Sequence, residues 1–472
     1  MKTERITPVR WIIAALSLSV LLSSIGTSIA NVSLPTLAQE FGASFQHVQW
    51  VVLAYLVTIT TTVVSVGRLG DLMGRRRLLM IGVSLFTIAS ALCASAPGLG
   101  FLIAARAVQG FGAAIMMALT MAFVGETVPK SRAGSAMGLV GTMSAAGTAL
   151  GPSIGGLLIS VLGWQAIFLI NVPLGVAIVM LLHRYLPVDA NRPQADQLRF
   201  DLVGTFLLAI TLAAYALAMT VGRGHFGSRN VGLLVAALLG LSLFIVAERR
   251  VRSPLIRLAL FRNVLLSASL FMSLLVSTVM MATLVVGPFY LSRTLGLSAG
   301  WLGFVLSIGP LCAAFAGVPA GRLVDTVGAD RTTRMGLIGI AAGCFLLYAL
   351  PAVLGMVGYT LPIAVVTVGY ALFQTANNTA VMMDLPPDQR GVISGLLNLS
   401  RNLGLITGAS AMGALFTFAS GTGDIATAAP DAVAAGMQVT FAIAGLLILV
   451  ALAIAAGSRA AGVRPFLAEN AS

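Results

Sequence analysis

Few charged side chains are placed to do chemistry in the apolar part of this chain. Two arginines, Arg106 and Arg401, lie inside long apolar runs, whereas every Asp and Glu falls between runs or at their ends. A lone cation in apolar surroundings is costly unless it faces a cavity or a partner, so both arginines are candidates for function. The histidines and cysteines stand at unrelated spacings and predict neither a metal site nor a disulfide framework: His47, His183, His225, Cys93, Cys312 and Cys344.

Nucleotide chemistry is not expected from this sequence. The only lysines are Lys2 and Lys130, and Lys130 follows a proline where a phosphate-binding loop needs glycine. The segment 222–227 matches a dinucleotide fingerprint formally, but no strand precedes it. Because no cluster of reactive side chains is visible either, we expect neither an enzyme nor a bound cofactor.

The composition predicts a membrane protein built from helices. Of 472 residues, 58% are hydrophobic and 9% are charged, and the mean hydropathy is +0.99. Such values lie outside the range of soluble globular domains. The apolar runs are continuous rather than alternating, which predicts membrane-spanning helices and excludes a barrel. We therefore expect an all-α polytopic protein in contact with lipid.

Fourteen apolar runs are long enough to be spans. They lie at about 11–34, 48–67, 78–97, 99–124, 133–162, 165–187, 202–221, 231–248, 264–291, 300–320, 333–352, 356–383, 391–419 and 434–457. The polar stretch 188–201 separates the first six runs from the next two. A basic segment around residues 249–262 precedes the last six.

Two short motifs occur twice and indicate an internal duplication. A glycine-rich turn reappears after 254 positions, and a second motif, Glu126-x-x-Pro129-x-x-Arg132, returns after 258 as Asp384-x-x-Pro387-x-x-Arg390. The copies of the turn stand eight runs apart, whereas two plain six-helix halves would place them six apart. We therefore predict a six-helix bundle at 1–188, two accessory helices at 189–262 and a second bundle at 263–472. The six repeated residues of the turn are Gly67, Arg68, Leu69, Asp71, Gly74 and Arg77, which return as Gly321, Arg322, Leu323, Asp325, Gly328 and Arg331.

The distribution of basic residues predicts the orientation. With an inside start, the outer connections carry only Arg223, Arg229 and Arg293, and nearly all other Lys and Arg lie in the inner connections and tails. By the positive-inside rule, both termini are cytoplasmic. The net charge of +13 is then a consequence of topology, and we expect no nucleic-acid partner.

The turn at 67–77 resembles the signature loop Gly-x-Leu-x-Asp-x-x-Gly-Arg-Arg of the major facilitator superfamily. In that family the acid and arginine of the loop hold the cytoplasmic side shut. The resemblance gives this role to Asp71 and Arg75, with Glu126 as the expected partner of Arg75 and with Asp325 and Asp384 as the counterparts in the second half. It also links Arg106 to proton coupling, although a structural arginine capped by neighbouring carbonyls is an alternative.

Other segments resemble the fourteen-span drug:proton antiporters of the superfamily. The fifth run carries Gly147, Gly151, Pro152, Gly155 and Gly156 in the spacing of the family's antiporter motif, which favours export over import. An ordinary packing stripe would explain the glycines but not Pro152. A fold of fourteen helices in a 6 + 2 + 6 arrangement follows from this resemblance as well as from the run count.

One departure from that subfamily bears on the substrate. Those antiporters usually carry an aspartate in the first span, where this chain has Gly26. An embedded acid is the usual partner of a lipophilic cation and the usual proton carrier. With Arg106 and Arg401 as the only embedded charges, a neutral or anionic substrate becomes more plausible.

Polar side chains within the apolar runs, together with adaptable methionine and phenylalanine side chains, are candidates to line a central substrate site. Each is about equally expected to make a packing hydrogen bond. The set comprises Asn31, Tyr55, Gln109, Met116, Met117, Phe373, Gln374, Asn377 and Asn378, with Arg401 as an anion-binding group.

These observations predict a secondary exporter of amphipathic or lipophilic small molecules that exchanges them for protons. We expect a monomer in a bacterial inner membrane that takes its energy from the proton gradient. The alternatives are a dedicated exporter of a metabolite or organic anion, and a proton-independent transporter. A receptor or a lipid-modifying enzyme on the same scaffold is less favoured, because neither a signalling domain nor a reactive cluster is visible.

Overall fold

The computed structural model describes residues 9–43, 45–48, 50–186, 201–220, 227–251, 254–297, 299–383, 385–386, 389–421 and 428–460. These residues form helices and short connections, without a strand. Most of the predicted connector at 188–201, the loop at 222–226 and Asp384 lie outside this part of the chain.

Each predicted apolar run overlaps a helix, but the run at 165–187 is divided into α7 and α8, and several helices extend beyond their runs, such as α1 and α12. In chain order the helices are α1 Val9–Glu40, α2 Phe45–Val48, α3 Trp50–Met73, α4 Arg75–Ala94, α5 Leu99–Thr127, α6 Ala133–Leu162, α7 Ala166–Leu169, α8 Asn171–Tyr185, α9 Leu202–Thr220, α10 Ser228–Arg250, α11 Val264–Phe289, α12 Ala299–Val327, α13 Ala329–Ala349, α14 Pro351–Met382, α15 Arg390–Ala419 and α16 Pro430–Ala460.

Twelve helices in the described part of the chain are long and apolar enough to cross a membrane. The two long helices outside this set are α6 and α9, the latter with a shorter apolar run at Val203–Met219. A count of twelve spans is thus supported by length and composition, and the predicted fourteen would require α6 and α9 to cross as well.

The helices pack into two groups. Helices α1, α3 to α6 and α8 contact one another and form the first bundle, while α11 to α16 form the second. Helices α9 and α10 pack together, and α9 also contacts α3 of the first bundle and α15 of the second. We call α9 and α10 the accessory pair. The bundles meet mainly where α6 crosses α12 and where α3 crosses α15.

The two copies of the repeated turn adopt the same backbone conformation. Gly74 has φ of 94° and Gly328 has φ of 95°, values that residues with a side chain rarely adopt. Each glycine separates two helices that would otherwise be continuous, α3 from α4 and α12 from α13. We refer to the end of the molecule that contains both turns as the motif end.

Candidate functional site

The two bundles touch at the motif end through glycine backbones. Gly134 of α6 lies against Gly321 of α12, and Gly138 lies against Gly317, so closely that a side chain at any of the four would overlap backbone of the opposite helix. The other interface repeats the arrangement, with Gly67 of α3 against Gly391 O of α15. Small residues of this kind let helices approach closely in a membrane.

Asp325 connects the bundles across this glycine contact. Its carboxylate accepts hydrogen bonds from the backbone N–H of Gly134 at 2.7 Å and of Ser135 at 2.9 Å, and from the Ser135 hydroxyl. These groups form the first turn of α6, where free N–H groups and the helix dipole favour a negative charge. An acid of the second bundle therefore caps a helix of the first.

The Arg75–Glu126 pair that the sequence predicts is present. Arg75 Nη1 and Glu126 Oε2 lie 2.7 Å apart, with the arginine side chain 9% exposed and the glutamate 47% exposed. The pair joins α4 to α5 within the first bundle. Arg390, at the start of α15, lies within electrostatic range of both charges. The second half lacks the same pair, because Ala329 replaces the arginine.

We call the acids and arginines that are predicted to hold the cytoplasmic side shut the latch. Two of its predicted acids have no described side chain. Asp71 lies in α3, but only its backbone is described, and Asp384 lies outside the described residues. The repeat makes Asp71 the counterpart of Asp325. Their part in the latch stays a prediction.

Arg106 is completely buried inside the first bundle. It donates to the Val51 carbonyl at 2.9 Å, the Gly26 carbonyl at 3.1 Å and Gln109 Oε1 at 2.5 Å. Its guanidinium carbon also lies 4.1 Å from the centre of the Tyr55 ring. Carbonyls, an amide and an aromatic face thus surround this cation, as the structural alternative for Arg106 describes.

Gly26, the position where the antiporters that this sequence resembles usually carry an acid, is directly beside Arg106. The carbonyl of Gly26 accepts from Arg106, but a Cβ at Gly26 would stand 2.9 Å from Cζ of Phe86 and 3.3 Å from the Tyr55 hydroxyl. Phe86 is completely buried. The phenyl ring therefore borders the space that a longer side chain would need.

Some polar atoms on the helices that carry the contacts between the bundles have no hydrogen-bond partner in the described part of the chain. Asn398 of α15 donates to the Met117 carbonyl of α5 at 3.4 Å, and Ser394 donates to the Ala118 carbonyl. The buried side-chain atoms without a hydrogen-bond partner on α6, α14 and α15 include Thr142 Oγ1, which lies beside Gly317, and Gln374 Oε1, Asn398 Oδ1 and Arg401 Nε. We call these four residues the central polar set. Buried polar atoms are normally paired, so the set could hydrogen-bond to a ligand or to water.

Other predicted substrate-binding residues lie within one bundle. Met116 and Phe373 are completely buried in the apolar cores of the first and second bundles. Tyr55 and Gln109 belong to the Arg106 network. Asn377 donates to the Ser269 carbonyl at 3.4 Å, which ties α14 to α11. The side chain of Asn31 is not among those described.

The antiporter-motif glycines of α6 contact α1. Gly147 and Gly151 lie against Ser24 and Ser28, and Ser28 donates to the Gly147 carbonyl at 3.1 Å. Gly155 continues the contact against Ile29, whereas a side chain at Gly156 would meet open space. The side chain of Pro152 is not described.

The second half repeats this packing. Gly404 and Gly408 of α15 lie against α11, where Thr278 donates to the Gly404 carbonyl at 3.1 Å. These glycines therefore have a packing role, which a stripe of small residues predicts.

The sequence analysis gives no functional role to two residues at the bundle contacts, Ser135 and Asn398. A feature of the sequence nevertheless marks each of them. Asn398 stands three residues before Arg401, on the same helical face. Ser135 lies beside a glycine pair that repeats after 257 positions, Gly134 and Gly138 returning as Gly391 and Gly395.

Solved structures share this fold. A human organic anion transporter matches with a TM-score of 0.66 at 15% identity, covering 95% of this chain and 99% of that chain. A proton:xylose symporter, XylE, also matches with a TM-score of 0.66 at 15% identity, covering 94% and 95%. At these identities the likeness describes the fold alone.

Three bacterial relatives are closer in sequence. An uncharacterised transporter of Escherichia coli K12, YebQ, is 33% identical over 387 residues, covering 81% of this chain and 84% of the relative. The riboflavin transporter RibZ of Clostridioides difficile is 31% identical over 415 residues, covering 86% and 88%. The multidrug resistance protein Stp of Mycobacterium tuberculosis is 31% identical over 400 residues, covering 82% and 72%.

A family model also matches this chain. The model described as Major Facilitator Superfamily matches residues 16–409, which is most of the chain and includes both copies of the turn. The helical fold and the relatives agree with that match. The chain is a multi-pass membrane transporter and belongs to the major facilitator superfamily.

Proposed function

We propose that this transporter exports amphipathic or lipophilic small molecules by alternating access, in exchange for protons. The observation that carries the proposal is the contact between the bundles at the motif end, where glycine backbones and the Asp325 cap join α6 of the first bundle to α12 of the second. Opening this end must also separate the apolar contacts that α14 and α15 make with the core of the first bundle. The multidrug relative favours export of drug-like molecules.

The proposed arrangement in the membrane follows the charge distribution. The motif end faces the cytoplasm, as do both termini, and all fourteen long helices cross the membrane as 6 + 2 + 6. The three parts are residues 1–188, 189–262 and 263–472. Bacterial relatives favour a location in the bacterial plasma membrane. We propose a monomer, because both bundles and the contacts between them are built from a single chain.

The central polar set supports a substrate with both hydrogen-bond donors and acceptors. Gln374 and Asn398 offer acceptor oxygens, and Arg401 offers a donor nitrogen. Met117 lies beside Asn398 and can contact an apolar part of the substrate. A neutral amphipathic molecule fits these groups better than a cation, because no described carboxylate belongs to the set. The remaining predicted residues would contribute only if the bundles rearrange.

Proton coupling, in this proposal, involves acids at the motif end. Asp325 is placed at a contact that must change when the motif end opens, and Glu126 pairs with Arg75 within electrostatic range of Arg390 of the second bundle. Protonation of either acid would weaken its contact, which links proton uptake to opening. Asp71 and Asp384 would act in the same way.

A dedicated exporter of a metabolite or organic anion, or a proton-independent transporter, is the second candidate. The arrangement around Arg106 favours it, because Phe86 borders the space where related antiporters carry an acid. The riboflavin relative shows that similar sequences include a transporter named for one metabolite. In this candidate Arg401 would attract the anionic group of the substrate.

Inverted vesicles energised with a proton gradient would distinguish these functions. Cationic, neutral and anionic amphiphiles are added in turn, riboflavin among them, and the gradient is followed with a fluorescent probe. Vesicles with the Asp325→Asn variant and vesicles without the protein are the controls. Gradient collapse by several unrelated neutral compounds supports the main proposal. A response to one anion alone supports the second candidate, and uptake that continues without a gradient contradicts proton exchange.

A further inference from the structure

Two carboxyl groups lie buried together at the base of the accessory pair. Asp201 precedes α9 and is 8% exposed, and Glu248 lies near the end of α10 and is 4% exposed. Both lie at the end of the accessory pair from which the chain leads to α11. Buried acids are rare unless each oxygen has a partner.

Each carboxyl group has one oxygen with a partner and one without. Asp201 Oδ1 accepts from the backbone N–H of Gly204 at 2.7 Å, and Glu248 Oε2 accepts from the backbone N–H of Ile256 at 3.3 Å. The other two oxygens, Asp201 Oδ2 and Glu248 Oε1, are buried without a hydrogen-bond partner. Both lie within 2.5 Å of the point where a Cβ at Gly204 would stand. They are therefore at most about 5 Å apart and face the same small space.

Among the residues that the structure describes, no charged side chain neutralises this pair. Arg249 and Arg250 follow Glu248 in α10, and Arg257 follows Ile256 in the connection to α11, but all three side chains are exposed. On the helices that α9 contacts, the charged residues nearest this end are Arg68 and Asp71 of α3 and Arg390 of α15. None of the described arginines forms an ion pair with either acid in this structure.

Two facing carboxylates without a cation repel each other, and a proton removes the repulsion most simply. A sodium or calcium ion would need several more oxygen ligands than these two side chains supply. We propose that Asp201 Oδ2 and Glu248 Oε1 share one proton, and that this proton-binding site fastens the accessory pair to the segment 254–256. In the same segment, Leu255 and Ile256 are buried in the core of the first bundle.

The accessory pair contacts both bundles, so that binding or loss of the proton at this site can affect the interface between them. Helix α9 contacts both α3 and α15, and Tyr215 of α9 lies 2.5 Å from the Thr407 hydroxyl of α15. It therefore bridges one of the two interfaces between the bundles. Loss of the proton would loosen the base of α9 and make the movement of the bundles sensitive to pH. This consequence rests on the proposed transport function, whereas the proton site does not.

Infrared spectroscopy of the purified protein in nanodiscs tests the proton directly. At neutral pH the wild type should show the carbonyl stretch of a protonated carboxyl group, and the band should disappear reversibly as the pH is raised. The band should be absent from both Asp201→Asn and Glu248→Gln. The matched controls are the exposed acids, through Asp431→Asn and Glu40→Gln, which should keep it. A wild-type spectrum without this band, or a band that survives both test variants, would overturn the proposal.

A second measurement separates the site from the transport function. The folded protein holds a proton that the unfolded chain releases, so stabilisation by this site is present at lower pH and is lost as the pH rises. The melting temperature of the wild type should fall from pH 6 to pH 9 more steeply than that of the Asp201→Asn/Glu248→Gln double variant. Parallel curves would contradict the shared proton. If the melting temperature of the wild type falls more steeply with pH but transport is not coupled to protons, only the proposed function is contradicted.

Discussion

The carboxylate of Asp325 in the second bundle accepts a 2.7 Å hydrogen bond from the backbone N–H of Gly134 in the first. The two residues are 191 positions apart and belong to helices of different bundles, α12 and α6. Asp325 is the repeated copy of Asp71, and Gly134 stands in the first turn of α6. A duplicated loop acid thus supplies a helix cap across the interface between the bundles.

Replacing Asp325 should open the motif end. Asparagine keeps the shape of the side chain but removes the charge that the first turn of α6 favours. Hydrogen bonds to charged groups contribute about 1.5–3 kcal/mol each, so the closed arrangement should lose tenfold or more in population. Hydrogen exchange at the Gly134 and Ser135 amides measures the change. Asp330→Asn, which alters a local pair with Arg334, is the matched control, and equal exchange in both variants would contradict the cap.

A methyl group at Gly138 should separate the bundles at the same end. The alanine side chain would overlap the backbone of Gly317, and overpacking typically costs about 1–3 kcal/mol. We expect a lower melting temperature for Gly138→Ala and slower substrate transport. Gly156→Ala is the control on the same helix, because a side chain there meets open space. The close approach would be disproved if both variants melted and transported alike.

An aspartate at position 26 should be able to pair with Arg106 only if the Phe86 ring no longer occupies the neighbouring space. Gly26→Asp alone should destabilise the protein, because the new side chain meets the Phe86 ring. Phe86→Ala alone should cost about 3–5 kcal/mol, but in the double variant the loss should be smaller than the sum of the two single losses, because the acid then has room to pair with the buried guanidinium. Thermal unfolding of both single variants and the double variant gives the coupling energy. Additive effects would show that Arg106 does not respond to an acid at this position.

Glu126→Gln should affect transport more than stability. The glutamate side chain is 47% exposed, and ion pairs with exposed partners contribute about 0.2–1 kcal/mol. The melting temperature should therefore change little, whereas movement of protons and substrate should slow if the pair belongs to the latch. Transport in proteoliposomes is the measurement, with Glu40→Gln as the control for an exposed acid. If the variant transports substrate at the wild-type rate, Glu126 does not belong to the latch.

Several features of the fold and the site follow from local sequence. The positions of the long helices follow from runs of apolar residues, because each run must satisfy its backbone groups internally in lipid. The turns at Gly74 and Gly328 follow from the duplicated motif, since both require positive φ. The Arg75–Glu126 pair was also predictable, because two motifs of known spacing place both residues at the same end.

The sequence by itself determined the family and the approximate positions of the long helices, although α1 continues to Glu40 and α12 to Val327, beyond the predicted ends at 34 and 320. Only the tertiary structure decided which helices cross between the bundles and which polar groups meet there. Asp325 finds its partner in α6, and Phe86 lies beside Gly26, through the packing of helices far apart in the chain. Helix periodicity defines the faces of one helix at a time. The pairing of two faces depends on side-chain volume and on backbone approach, which no single stretch of sequence contains.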